Sequence, residues 1–239
     1  MLARRPGGSA CLRILITRPR EDGEEIAARL AEMGHQALLA PLLTPRFADG
    51  PEPDLDNVEA VLATSANGIR AFSRRTARRD FAIFAVGPQT AEEALKNGFS
   101  QVKNADGDAK ALAQAAAGWA SPKSVLLHVC GEDAPGTLAK NLEQRGFEVR
   151  RCALYRIEAA TQLPPEVVRA LEDVALDAAM FFSPRSARVF ADLADGLPTK
   201  TLTALCISPA TAEALPPNAF AEVRVAERPN QAAMLALLV

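Results

Sequence analysis

Short apolar runs recur along this sequence, each followed by a polar turn and then by apolar residues at helical spacing. Leu12–Leu43 reads as a buried strand, a loop, an amphipathic helix closed by Gly34, and a second strand. Lys123–Tyr155 repeats that order, with Gly146 in the place of Gly34. A second pair matches Ala60–Phe72 with Ala178–Phe190 and lays Ser65 on Ser183, Arg70 on Arg188 and Phe72 on Phe190. A third matches Phe81–Leu95 with Leu202–Leu215 and lays Thr90 on Thr211. In each pair an apolar strand enters a turn that starts a helix. Ser183-Pro184 spells an N-cap followed by proline at the first helical position, where the missing N–H has no partner to lose. Thr90 and Glu93 have capping-box spacing, which Ala214 breaks in the second copy.

Strands alternating with helices predict an α/β fold with mainly parallel sheets, whose ligand sites lie outside the carboxyl ends of the strands. Six strand–helix units make two domains of three. A tandem arrangement divides at Gly118–Pro122, whereas an interleaved one joins the first unit to the last two; the pattern leaves both open. Pro41, Pro45, Pro51 and Pro53, and later Pro164-Pro165, mark extended crossings where the interleaved version needs them. Phe147–Ile157 is one such crossing, with Met33–Phe47 as its counterpart, and it carries Tyr155, the only tyrosine.

Composition adds limits. With 239 residues, 49% of them hydrophobic and 23% charged, the chain can bury full cores. A net charge of -2 supplies no general field for nucleic acid or an anionic membrane, so neither is expected as a partner and any anion site must be local. Cys11, Cys130, Cys152 and Cys206 form no CxxC pair, and His35 and His128 stand far apart, so no metal site is expected; reduced thiols and a cytoplasmic location are. Residues 1–11 read as a loose leader, and no uncharged run approaches the ~20 residues needed to span a membrane.

The nucleophile elbow, the dinucleotide fingerprint, the phosphate loop and the zinc-protease helix are all absent from the sequence. What remains is a set of expected helix starts: Ser65-Ala66-Asn67, Gly87–Thr90, Gly131-Glu132, Ser183–Ser186 and Ser208–Thr211. Their N–H groups and hydroxyls, with Arg18, Arg20 and Arg185 nearby, suit carboxylates or phosphates, and the bland alternative is that they only cap helices. Tyr155 reads equally as a half-buried connector residue, His35 as a solvent residue, His128 as a satisfied core histidine, and Trp119 as core or interdomain packing.

Taken in order, TRP (Thr17–Pro19), TSANG (Thr64–Gly68), VGPQTAEEAL, GED (Gly131–Asp133), LYR (Leu154–Arg156), FFSPRSA (Phe181–Ala187) and SPATAEAL resemble the uroporphyrinogen-III synthase family over nearly the whole chain. The resemblance implies two flavodoxin-like domains, each a parallel sheet in a three-layer sandwich, with interleaved connectivity and a two-stranded linker: residues 1–43 with 157–239, and 44–156. It implies a cofactor- and metal-independent hydro-lyase that closes hydroxymethylbilane, a linear tetrapyrrole with eight carboxylates, to uroporphyrinogen III, inverting ring D and losing water. Tyr155 matches the family's tyrosine and Thr211 its threonine, and both are expected in catalysis. Arg18, Ser65, Asn67, Thr90, Gly131, Ser183, Arg185, Ser186, Ser208 and Ala210 are expected to bind substrate. The chain departs from the family's pattern at Ser208, Ala210 and Cys130, where glycine, threonine and arginine are usual. A monomer is expected, open to transient hand-over of substrate from hydroxymethylbilane synthase. The second reading is a non-catalytic two-lobe binder of an anionic small molecule.

Overall fold

The computed structural model describes residues 11–238, and the chain divides into two units. One runs up to Thr44 and resumes at Glu158; the other is Pro45–Ile157, so the units are interleaved rather than tandem.

The discontinuous unit contains β1 (Arg13–Ile16), α1 (Arg20–Glu32) and β2 (Gln36–Leu39) from the start of the chain. From its end come α6 (Pro165–Glu172), β9 (Ala178–Phe181), α7 (Pro184–Leu193), β10 (Thr203–Cys206), α8 (Pro209–Glu213), β11 (Glu222–Val225) and α9 (Gln231–Ala236). Its five strands lie in the order β2-β1-β9-β10-β11, all parallel. In the unit's own chain order this is 2-1-3-4-5, the flavodoxin-like arrangement. Alternation along the strands feeds two cores: Leu15, Ala179 and Phe181 face α6 and α7, while Ile14, Ile16 and Met180 face α1 and α9.

The continuous unit contains β4 (Val58–Ala63), α2 (Ala66–Arg75), β5 (Ala82–Ala85), α3 (Pro88–Lys96) and β6 (Val102–Asn104). It goes on through α4 (Ala109–Trp119), β7 (Val125–Gly131), α5 (Thr137–Glu143) and most of β8 (Glu148–Ala159). The order is β8-β7-β4-β5-β6, again parallel, with β3 (Leu43–Phe47) added at the β8 edge. Counted from β7, this is the same 2-1-3-4-5 order. Val61, Ala63 and Val129 pack with Ile69 and Phe72 of α2 on one face; Ala60, Leu62 and Leu126 pack with Leu112 of α4 and Leu142 of α5 on the other. Phe72 and Phe84 are almost wholly buried, each contributing about 1.5–3 kcal/mol by the usual burial figure. Trp119 packs edge-on against Phe84, with ring centroids 5.2 Å apart, inside this unit's own core.

The internal repeat is structural. The register that lays Ser65 on Ser183 lays α2 on α7 end to end, and the one that lays Thr90 on Thr211 lays β5 on β10. Gly34 and Gly146 both close their helices with φ above +80°, and the N–H of the following residue returns to the carbonyl of Leu30 or Leu142. The chain passes between the units in β3 and β8, which are neighbours in the sheet and are flanked by hydrogen bonds from Ala48 N–H to Leu154 O and from Ala160 N–H to Leu42 O, in antiparallel register. Of the expected leader, all but Cys11 lies outside the described residues. No helix among the described residues is long and apolar enough to cross a membrane.

His35 differs from expectation, and His128 is the core residue expected but without the expected partners. His35 is buried, and its Nδ1 accepts the Leu12 N–H at 3.2 Å, tying the end of α1 to the start of β1. His128 is buried on β7, but neither ring nitrogen has a partner. Burial, reinforced by the Arg151 charge, holds its pKa down to about 4. Between its ordinary value near 6.5 and about 4, the unfolded chain binds a proton that the folded chain refuses. Stability therefore falls as pH falls through that window, by up to about 1.4 kcal/mol per pH unit. Urea unfolding across the window should show a shallower pH dependence in His128→Leu than in the parent; an unchanged slope would place the titrating group elsewhere.

Candidate functional site

Parallel pairing puts every strand-to-helix turn of a unit at one edge of its sheet. Crevices open at that edge where neighbouring strands send their chains in opposite directions, which here means between β1 and β9 in one unit and between β7 and β4 in the other. The expected site residues divide between these edges, and Tyr155 and Thr211 belong to different units.

In the discontinuous unit, the buried Thr17 hydroxyl donates to Met180 O at 2.7 Å and stitches the β1 turn to β9. Arg18 follows it, paired with Asp22 at 2.7 Å and lying 4.9 Å from the Phe182 ring centroid. Ser183 caps α7 by accepting the Ser186 N–H, and the buried Ser186 hydroxyl donates back to Ser183 O at 2.9 Å. Arg185, in the first turn of α7, is exposed. Ser208 caps α8 by accepting the Thr211 N–H, and its hydroxyl lies 3.0 Å from Thr211 Oγ1. Thr211 has no exposed surface, whereas Ala210 is exposed.

In the continuous unit, Ser65 caps α2, its Oγ accepting the Gly68 N–H at 3.2 Å. The same Oγ lies 2.7 Å from the phenol oxygen of Tyr155, contributed by β8. Two glycines permit that meeting. A Cβ on Gly68 would lie 2.9 Å from Val129 O, so only glycine lets α2 settle this closely on β7. A Cβ on Gly131 would lie 3.2 Å from the Tyr155 ring, so Gly131 is the floor on which the ring rests. Tyr155 is 7% exposed. Burial pushes its phenol up from the ordinary value, while hydrogen bonding from Ser65 and the Gly131 backbone pulls it partly back; Cys130 adds to the rise. At neutral pH the group is a protonated donor.

Asn67 Oδ1 accepts from Arg70 at 3.2 Å, and Arg70 pairs with Glu93 at 2.9 Å, joining α2 to α3. Thr90 is buried at the third position of α3. The capping box expected of it does not form: Gly87 is the N-cap, Pro88 takes the first position, and Glu93 turns instead to Arg70 and Asn97. No helix starts at Gly131-Glu132 either. Glu132 N–H donates to Tyr155 O at 2.8 Å, and α5 waits until Thr137, after Pro135 and Gly136.

Thr17 and Gly68 are positions that shape these two edges and that the expected site left out. Both stood in the motif strings TRP and TSANG, the one as a threonine ending an apolar strand, the other as a glycine inside a helical pattern. Among the described residues no group of three or more His, Cys, Asp and Glu side chains is placed to hold a metal ion. A cavity of about 650 Å³ beside Leu163, Val168 and Asp192 includes none of the turn residues. It is an open groove along the flanks of α6 and α7, away from the carboxyl ends of the strands where parallel sheets hold their ligands.

The chain matches the family model of uroporphyrinogen-III synthase HemD over residues 24–236. Among solved structures it is similar to a uroporphyrinogen-III synthetase from Helicobacter pylori, with 16% identity and a TM-score of 0.63, covering 95% of this chain and 97% of that one. It is also similar to a mutant uroporphyrinogen III synthase from Thermus thermophilus, with 20% identity and a TM-score of 0.51, covering 95% and 96%. At these identities the likeness is one of fold. No curated protein matches the sequence.

Replacing Gly68 by alanine should lower stability by about 1–3 kcal/mol, because the Val129 carbonyl that the new methyl would strike is backbone in a central strand. Denaturant melts of the variant read this directly, and an unchanged midpoint would mean that α2 can lift from β7 without loss.

Proposed function

The chain belongs to the uroporphyrinogen-III synthase HemD family, enzymes of tetrapyrrole biosynthesis, and on that premise we propose how its residues close hydroxymethylbilane. The observation that carries the reading is the Tyr155 phenol, kept protonated by burial and held against Ser65 where β7 and β4 diverge.

The reaction begins when the terminal hydroxymethyl carbon loses its oxygen. The pyrrole nitrogen pushes, the C–O bond breaks, and Tyr155 gives its proton so that water departs. The resulting azafulvene is attacked by the substituted carbon of ring D, giving a spiro-pyrrolenine that fragments and recloses with ring D inverted. A proton is released when the last pyrrole regains aromaticity, and the phenolate takes it back. No step exchanges electrons with an external group, so protons and charge complementarity suffice, and the proposed activity is cofactor-independent.

A substrate with eight carboxylates needs fixed donors more than strong acids. The N-terminal turns of α2, α3 and α7 supply orphan N–H groups and the positive ends of helix dipoles. Arg185, Asn67, Ser183 and Ser208 stand in or beside such turns as proposed carboxylate contacts. Thr211, being fully buried, acts through the Ser208 hydroxyl it holds. Folding a flexible chain of four rings into one geometry is then the larger part of the rate gain. Reduced thiols fit the proposed cytoplasmic setting: burial pushes Cys130, Cys152 and Cys206 up, and all are free.

Hydroxymethylbilane generated in situ by its deaminase, incubated with this protein, oxidised and separated chromatographically, should yield mostly uroporphyrin III. Isomer I alone, the product of spontaneous closure, would leave a binder of anionic tetrapyrroles. Tyr155→Phe should slow isomer III formation tenfold or more, as expected for loss of a general acid. Thr211→Ala should reduce activity more than Thr90→Ala; equal effects would make both threonines helix-stabilising residues and nothing else.

A further inference from the structure

We propose that Ser65 is the positioning residue of Tyr155: its hydroxyl frees the phenol's proton for the substrate and then hydrogen-bonds the phenolate left behind. The proposal rests on the assignment of Tyr155 as proton donor.

Ser65 Oγ already accepts the Gly68 N–H, which fixes one of its lone pairs at the N-terminal end of the ten-residue α2. Its O–H and remaining lone pair are left to serve the phenol at 2.7 Å, where either oxygen can be the donor. With the site empty, the phenol can donate to Ser65. When a substrate hydroxyl arrives, the phenol turns its proton outward and Ser65 reverses polarity, donating its own proton into the phenol oxygen. No heavy atom has to move. After proton transfer the same O–H···O bond meets a full negative charge, and charge-assisted bonds are roughly twice as strong as neutral ones. The bond is thus stronger after transfer than before it, which is the condition for lowering a barrier.

The surroundings offer that charge little other help. Leu154, Val129 and Ile69 share its core. Cys130 at the end of β7 and Cys152 on β8 are thiols that burial keeps protonated. Arg74 of α2 lies over Phe47, 4.2 Å from its ring centroid, and Phe47 in turn lies 6.4 Å from the Tyr155 ring. Ser65 and the Gly131 backbone are the hydrogen-bonding groups that favour the ionised phenol.

Because Tyr155 is the only tyrosine, the near-ultraviolet phenolate band reports this group alone, and Trp119 fluorescence reports the fold over the same alkaline titration. Ser65→Ala should ionise about one pH unit higher than the parent, the equivalent of one ordinary hydrogen bond, and Ser65→Thr should return to the parent value. Ser65→Asp keeps the helix cap but offers no O–H and adds a negative charge, so it should ionise higher still, even if the alanine variant proves too unstable to titrate. In turnover, Ser65→Ala should lose about tenfold in kcat for isomer III with KM nearly unchanged, and Ser65→Thr should recover most of it. An unchanged phenolate midpoint in the alanine and aspartate variants overturns the proposal. So does a loss confined to KM, which would make Ser65 a substrate ligand. Failure of the parent protein to form isomer III would overturn the synthase reading, while the phenolate titration would still decide whether Ser65 governs Tyr155.

Discussion

Parallel pairing is the constraint from which the rest of this structure follows. A parallel strand can be reached only by a crossover, so each strand must leave its sheet at the same edge as its neighbours, and each crossing helix must begin there. Every such helix arrives with unpaired N–H groups that need a partner. Serine at the cap meets that need locally at Ser65, Ser183 and Ser208. The requirement that builds the fold thus crowds hydroxyls and amide donors along one edge of each sheet. These are the donors that the proposed function gives to an anionic ligand, and each already has a structural reason to be there.

Within that edge, the Tyr155 centre depends on how closely backbone can approach backbone. Gly68 brings α2 down onto β7, Gly131 leaves room for the tyrosine ring against the strand end, and the two hydroxyls meet at 2.7 Å. The phenol is held by opposing effects: burial favours the neutral acid, while Ser65 and the Gly131 backbone favour the ion. An acid has to be stable before its proton leaves and tolerable after it has gone. In the role proposed for Tyr155, this environment answers both needs with uncharged groups.

Local chemistry was legible in the sequence, and long-range chemistry was not. Ser183-Pro184 named its own helix start, Gly34 and Gly146 their helix ends, and the repeat registers carried whole elements onto one another. These signals depend on residues a few positions apart. The capping box at Thr90 failed because Pro88, two residues earlier, already defined the first turn and Arg70 drew Glu93 away. The helix expected at Gly131 failed because Glu132 N–H was taken by a strand whose partner lies more than twenty residues on. The burial of His35 and the lack of partners at His128 escaped the sequence for the same reason: a polar side chain's burial and its partners are set by elements distant in sequence. Tyr155 stood out as a singular residue, but its dependence on Ser65, ninety positions away, could come only from the fold.

The two sheets have the same strand order cut at different points, and this has a consequence for how the chain assembles. The continuous unit can complete its sheet without either end of the chain. In the other, β1 must find β9, and the Thr17–Met180 contact that seals their junction closes a loop of 163 residues. Closing so long a flexible loop is entropically costly, though the cost grows only with the logarithm of its length. Once the continuous unit has formed, however, β3 and β8 are paired and Leu42 and Ala160, from which the chain runs back to β1 and on to β9, are joined by a hydrogen bond. The inserted unit acts as a clasp: its own folding shortens the search its neighbour has left to make.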